Sequence, residues 1–197
     1  MKKVSVWIII LAVVVLAVIW GVKIYNKIVT AEEGVGNAWG NVENVYQRRA
    51  DLIPNLVASV QGAADYEKST LEAVITARAA ATSTKIDPTN LTEENMAAFQ
   101  QAQDNLSSAL SKLLVVVERY PELKANQNFL ELQAQLEGTE NRIAVERNKF
   151  NETVQSFNTM IRRFPANIVA SIGGFSKKAY FKAAEGSDVA PKVELKF

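Results

Sequence analysis

Apolar residues crowd the start of the chain and then settle into a regular step. Val4 to Val22 reads VSVWIIILAVVVLAVIWGV, nineteen residues without a charge. As a helix, with a rise of about 1.5 Å per residue, that stretch spans roughly 28 Å, close to the hydrocarbon thickness of a bilayer. Trp7 and Trp20 stand near its ends, where amphipathic rings favour the headgroup region, and Lys2, Lys3 and Lys23 flank it, with Lys27 beyond. A buried core helix would need a domain large enough to surround it. A cleaved signal peptide would be shorter, with a small-x-small site just after it. The nearest such site, Val29-Thr30-Ala31, lies well past the run. The pattern favours an uncleaved single-pass anchor over 4–22 behind a short tail of residues 1–3. Lys2, Lys3 and the free amine, set against Lys23 and Lys27, tip the balance slightly toward a cytoplasmic N-terminus. The large domain is then extracytoplasmic, with the cytoplasm as the alternative.

From residue 25 onward the apolar positions recur with a helical period. Val35, Ala38, Val42, Val45, Leu52, Leu56, Val60 and Ala63 step by threes and fours, with Arg49 occupying a position inside the stripe, beside a row of Trp39, Tyr46 and Ile53. The register continues through Leu71 and Val74 until AAATSTKIDPTN breaks it into a loop. Pro54 interrupts the run, because a helical proline removes a hydrogen bond and clashes with the preceding turn. The unbroken phase of Leu52, Ile53 and Leu56 favours one kinked helix over about 25–83, with a hairpin at Pro54 as the alternative. A second helix over 90–120 opens at Asn90 with Glu93 three residues on, and Pro121 stops it. A third, over 126–164, carries Phe129, Leu136, Ile143, Phe150, Phe157 and Phe164 at a spacing of seven, the pattern of a left-handed coiled-coil seam. No comparable strand-like alternation occurs. The expected fold is all-α: an N-terminal transmembrane helix, then an antiparallel bundle of three to four long helices over 23–164, then a C-terminal tail over 165–197.

Several stripes carry polar groups where apolar ones belong: Arg49, Glu67, Arg78, Gln103, Glu140 and Arg147. Buried charges must pair or cost several kcal/mol each. We expect Arg49 and Arg147 to pair with Glu140 and Glu67, fixing helix register, ahead of an acid–base role for the two glutamates. In the tail, Ile168, Ile172, Phe175, Tyr180 and Phe181 surround a Gly173-Gly174 hinge and Lys177-Lys178. They suit a cap on the bundle end or, alternatively, an interface with membrane or partner.

Composition narrows the chemistry. The 197 residues include no Cys and no His, and 22 Lys+Arg nearly balance 21 Asp+Glu. Without Cys there is no disulfide, thiolate metal site or cysteine nucleophile, and without His the commonest acid–base group is missing. A net charge of +1 gives no field for nucleic acid. With Lys2 and Lys3 in the anchor region, the remaining chain is close to neutral, which does not suggest a basic lipid-hugging surface. Gly34-Val35-Gly36 lacks the third glycine and preceding strand of a phosphate loop, and neither a G-x-S-x-G nor an EF-hand spacing occurs. No catalytic residue, cofactor, metal or small-molecule substrate is expected.

The longer motifs resemble a family. Arg48-Arg49-Ala50-Asp51-Leu52-Ile53-Pro54-Asn55-Leu56-Val57 is similar to the R-x-x-L-I-P-N-L-V signature of LemA family proteins. Glu118-Arg119-Tyr120-Pro121-Glu122-Leu123-Lys124-Ala125 resembles their E-x-Y-P-x-L-K-A turn. Thr139-Glu140-Asn141-Arg142-Ile143, Arg147, Phe150-Asn151 and Phe157-Asn158 resemble their T-E-N-x-I…R…[YF]-N pattern. Phe164-Pro165-Ala166-Asn167, Gly174-Phe175 and Tyr180-Phe181 match the closing segment. Asp65-Tyr66 stands where relatives often carry a His, which weakens any pH-sensing idea. The resemblance implies a bacterial, single-pass, helical-bundle membrane protein with no established catalytic residue, some relatives being linked to building membrane compartments. Its recurrent polar positions, here Arg49, Asn55, Glu140, Asn141 and Arg147, suit bundle architecture as readily as a site. The expected role is a non-enzymatic scaffold or interaction protein of the inner membrane. Its expected partners are the lipid bilayer and further copies of itself or other membrane proteins. Membrane shaping through the anchor and the apolar tail is the alternative.

Overall fold

The computed structural model describes residues 2–61 and 68–182, with backbone alone for 2–6 and Lys124. Helix α1 (Lys2–Gln61) carries the apolar stretch and the first bundle stripe on one continuous rod, about 90 Å long at the usual helical rise. Helices α2 (Lys68–Ser83), α3 (Glu93–Val117), the one-turn α4 (Pro121–Lys124), α5 (Gln127–Arg162) and α6 (Ala166–Ile172) follow, with no strand among the described residues. Thr92 caps α3 by accepting from the Asn95 amide at 3.2 Å, so the helix starts two residues after the expected Asn90 cap. Asn90 instead belongs to a turn in which the Asp87 carboxylate accepts from the Thr89 amide and hydroxyl. Asn126 caps α5 through the amides of Asn128 and Phe129.

The single helix expected over 25–83 is two. Helix α1 continues through Pro54 to Gln61, and α2 returns beside it, bringing Arg78 to Ala50. The apolar phase continued past the reversal, which hid the turn. Helix α1 tolerates Pro54 for a physical reason. The proline cannot donate to the carbonyl four residues back, which leaves the buried Ala50 oxygen without its helical partner. Arg78 Nε on α2 donates to that oxygen at 2.7 Å. The defect in one helix becomes the attachment point of the next.

From about Ile24 onward α1 pairs with α5, and α2 pairs with α3, closing an antiparallel four-helix bundle. The α1 seam is a strict heptad pair: Ile28, Val35, Val42, Arg49 and Leu56 in one row, Trp39, Tyr46, Ile53 and Val60 in the other, all buried. Ala38, Val45 and Leu52, expected in the main stripe, are only half-buried. On α5, Phe129, Ile143, Phe150 and Phe157 are buried and Leu136 half-buried. Phe164 is 80% exposed. The helix ends before it, at Arg162, so the seven-residue step no longer sets its direction.

Beyond α6 the chain turns sharply. Gly174 takes a positive φ of 74°, a conformation that glycine adopts without steric cost. A side chain on Gly173 would lie 2.7 Å from the Phe175 ring and 3.1 Å from Tyr25. The expected hinge is therefore a tight terminator. Residues 175–182 then run without helix as a strap back along the bundle.

Candidate functional site

Three arrangements stand out. The first is a polar layer across the middle of the bundle. Arg49, 2% exposed, donates through Nη1 to Ser107 Oγ and Glu140 Oε2, each at 2.9 Å. Through Nη2 it donates to Gln103 Oε1 at 2.6 Å and to the Gln103 carbonyl at 3.3 Å. Gln103 in turn donates to the Ala81 carbonyl of α2 at 3.2 Å. With Arg78 on Ala50, this layer ties all four long helices. The Arg49 guanidinium also lies over the Tyr46 ring, 5.1 Å from its centre. Burial pushes the Tyr46 phenol above its ordinary value, against the pull of Arg147 and Arg49. Glu140 is 58% exposed, so the ion pair is buried only at its arginine end. The geometry holds a cation in place and positions helices. Beside it, a groove of about 360 Å³ is lined by Tyr46, Gln47, Thr82, Lys85 and Gln103 among others. Among the described residues no cluster of three metal-ligating side chains occurs.

The second arrangement docks the strap. An extended segment cannot satisfy its own backbone, and buried peptide groups need partners. Three side-chain amides supply them, each acting as donor and acceptor at once. Asn158 accepts from the Lys178 amide at 3.0 Å and donates to its carbonyl at 2.9 Å. Asn151 does the same for Phe181, at 2.9 and 3.0 Å. Gln100 does so for Lys182, at 3.3 and 2.9 Å. Lys178 is buried at 4% exposure and meets Glu32 at 2.7 Å and the Thr89 carbonyl at 2.9 Å. Phe181 stacks on Trp39 with ring centres 5.9 Å apart, inside a cluster with Phe99 and Phe150. Arg147 covers Phe181 from outside, 4.6 Å from the ring, and donates to the Lys182 carbonyl at 3.0 Å.

The third is the end of the bundle beside the apolar stretch of α1. Helix α6 packs on α1 and α5 there, with Ala166, Val169 and Ala170 turned inward. A groove between them is lined by Ile24, Lys27, Met160, Arg163 and Ala166. Tyr25 meets Phe175 with ring centres 5.5 Å apart.

The structure distributes the expected residues unevenly. Arg49 and Glu140 come together, whereas Arg147 turns to the strap and Glu67 lies outside the described residues. Asn55 and Asn141 are exposed, against the expectation of a polar core role. Ile53, Leu56, Val57 and Val60 take the inward arc of α1, leaving Asn55 on the opposite side. Phe181 is core and not interface, Phe175 is half-buried against Tyr25, and Tyr180 is 41% exposed. Ile168 and Ile172 are exposed. Trp7, Trp20 and Lys23 are exposed on α1, and the side chains of Lys2 and Lys3 lie outside those described. Sequence reasoning missed Asn151, Asn158, Gln100 and Lys178. The one available signal was the Phe-Asn pair repeated at a spacing of seven, which puts each ring in the core and each amide on the strap.

These features define a long-helix bundle continuous with one apolar helix. A window of that helix has a mean hydropathy of 2.7, no buried residue, and the length and composition of a membrane span. The chain belongs to the LemA family, whose pattern matches residues 38–197. It is 27% identical over 181 residues to "Magnetosome protein MamQ 2" of Paramagnetospirillum magneticum, covering 83% of this chain and 66% of that protein. It is 26% identical over 189 residues to "Magnetosome protein MamQ" of Magnetospirillum gryphiswaldense, covering 86% and 70%. It is 24% identical over 160 residues to "Protein LemA" of Metamycoplasma hominis, covering 81% and 69%. The chain thus spans only about two thirds of the length of these relatives. The resemblance read from the motifs holds, and so does the all-helical bundle.

Proposed function

We propose that the chain is a single-pass protein of the bacterial inner membrane and that its bundle is a non-enzymatic, self-associating scaffold on the extracytoplasmic side. The observation that carries this reading is the continuity of α1. An apolar stretch with no buried residue passes, without a break in the helix, into the buried seam of the bundle. Such a rod transmits position from bilayer to bundle. The polar groups inside the bundle support a structural role, since Arg49 is buried and engaged with Gln103, Ser107 and Glu140. The names of the relatives reported above are not enzyme names.

The test is cross-linking of the full-length protein in native membranes. Discrete higher-order bands containing this chain are expected. A chain that remains monomeric there, and also in detergent, contradicts the scaffold reading. A single cysteine at exposed Val115, probed with a membrane-impermeant maleimide on intact spheroplasts, reports the side; labelling is expected, and protection places the bundle in the cytoplasm. A second reading, membrane organisation through the anchor and the C-terminal segment, is favoured by the position of α6 beside Ile24 and Lys27.

A further inference from the structure

We infer that Phe164, Ile168 and Ile172 form an apolar lip that sits in the headgroup layer of the bilayer crossed by α1, giving the bundle a second membrane contact. The inference rests on the anchor reading and adds to it a site and a ligand, the phospholipid surface.

The first support is height. Gly173 abuts Tyr25, and Ala166 faces Ile24 and Lys27, so α6 lies level with residues 24–28 of α1. Tyr25 is three residues past the end of the apolar run at Val22, about 4.5 Å along the helix axis. The headgroup region adds roughly 5–7 Å to each side of the hydrocarbon core. An exposed side chain at that level meets the interface whichever way it faces. The second support is the exposure of large apolar groups in a short element whose other face is packed. Ile168 and Ile172 of α6 are 52% and 84% exposed while Ala170 of the same helix is 3% exposed, and Phe164, in the turn just before α6, is 80% exposed. Contiguous exposed apolar residues mark a contact surface.

The third support is charge. The first acid on α1 beyond the lip, Glu32, is paired with Lys178, and residues 23–31 and 154–177 contain no Asp or Glu. They supply exposed Lys23, Lys27, Arg162, Arg163 and Lys177 around the lip, none of them ion-paired among the described residues. The near-neutral total therefore conceals a local excess of cations around the lip. Apolar side chains rimmed by Lys and Arg are the composition of an interfacial segment, and the rim favours anionic lipid.

Because the chain has no cysteine, a single cysteine can be placed and labelled without other changes. The experiment uses full-length protein reconstituted into phosphatidylcholine vesicles containing phosphatidylglycerol. An environment-sensitive fluorophore is carried in turn on L16C, I172C and V115C, and spin-labelled lipid is the quencher. All three positions are exposed and outside the packed core. The lip predicts blue-shifted emission at I172C and quenching several-fold stronger than at V115C, approaching that at L16C. If I172C behaves like V115C while L16C is quenched, the lip is wrong and the anchor stands. If all three are unquenched, both are wrong.

Discussion

On the far side of the Arg49 layer, away from the apolar stretch, the core is aliphatic. Ile53, Leu56, Val60, Leu71, Val74, Leu106, Leu110 and Leu113 fill it, with Phe129 its one buried aromatic among the described residues, and four helices enclose it. On the near side α2 no longer contributes. Its place is taken by the loop carrying Ile86 and Leu91 and by the strap, and the core is built on Trp39, Tyr46, Phe99, Phe150, Phe157 and Phe181. The difference follows from what each half has to enclose. Four helices satisfy their own backbones, and interchangeable aliphatic side chains suffice between them. A strap leaves its peptide groups to the bundle, so Asn151, Asn158 and Gln100 must stand at fixed places, and large rings fill the irregular space left beside it. The half beside the apolar stretch is thus closed by contacts distant in sequence, such as Trp39 to Phe181. It is expected to open at lower free energy than the far half.

The largest expected effect is at the ring cluster. Trp39→Ala should lower the unfolding free energy by about 4 kcal/mol, at the upper end for large-to-small core changes. Leu113→Ala in the far core should cost about 3 kcal/mol. Urea denaturation measures both, and a larger loss at Leu113 would reverse the account. Next comes the boundary layer. Arg49→Ala removes a buried cation from Gln103, Ser107 and Glu140 and should cost about 3 kcal/mol. Arg49→Met fills the same volume without charge and should recover most of that loss. If Met is as damaging as Ala, the hydrogen bonds themselves carry the stability and not the filling of the seam. The smallest effect is local to the far half. Arg78→Met should cost about 2 kcal/mol in the natural sequence, where the Ala50 carbonyl depends on it. In a Pro54→Ala background the helix supplies its own donor, so the same change should cost about 1 kcal/mol less, read as the coupling in a double-mutant cycle.

Much of the far half was legible in the sequence, because its seams are helix-periodic and neighbours in the chain pair with one another. Arg49 inside an apolar heptad row announced a buried polar group, and its pairing with Glu140 joins two helices that the periodicity already placed antiparallel. What escaped was the reversal after Gln61, since the apolar phase runs through it and Pro54 drew attention to the wrong turn. That reversal sets how many times the chain traverses the bundle, and so whether the end of α5 finishes beside the anchor. The strap escaped because side-chain amides bonded to backbone leave no charge pattern, and the seven-residue Phe-Asn repeat does not by itself say what the amides bind. The local excess of cations around the lip escaped because summing charge over the chain averages it away.

The claim that the half beside the apolar stretch is closed by the strap is tested most directly by hydrogen exchange, comparing the chain ended after Lys182 with the chain ended after Gly174. The amides of α1 over 35–46 and of α5 over 143–157 should exchange much faster in the shorter chain, while those of α2 and α3 beyond Leu106 keep their protection. Faster exchange spread evenly over both halves, or no change near Trp39, would contradict it.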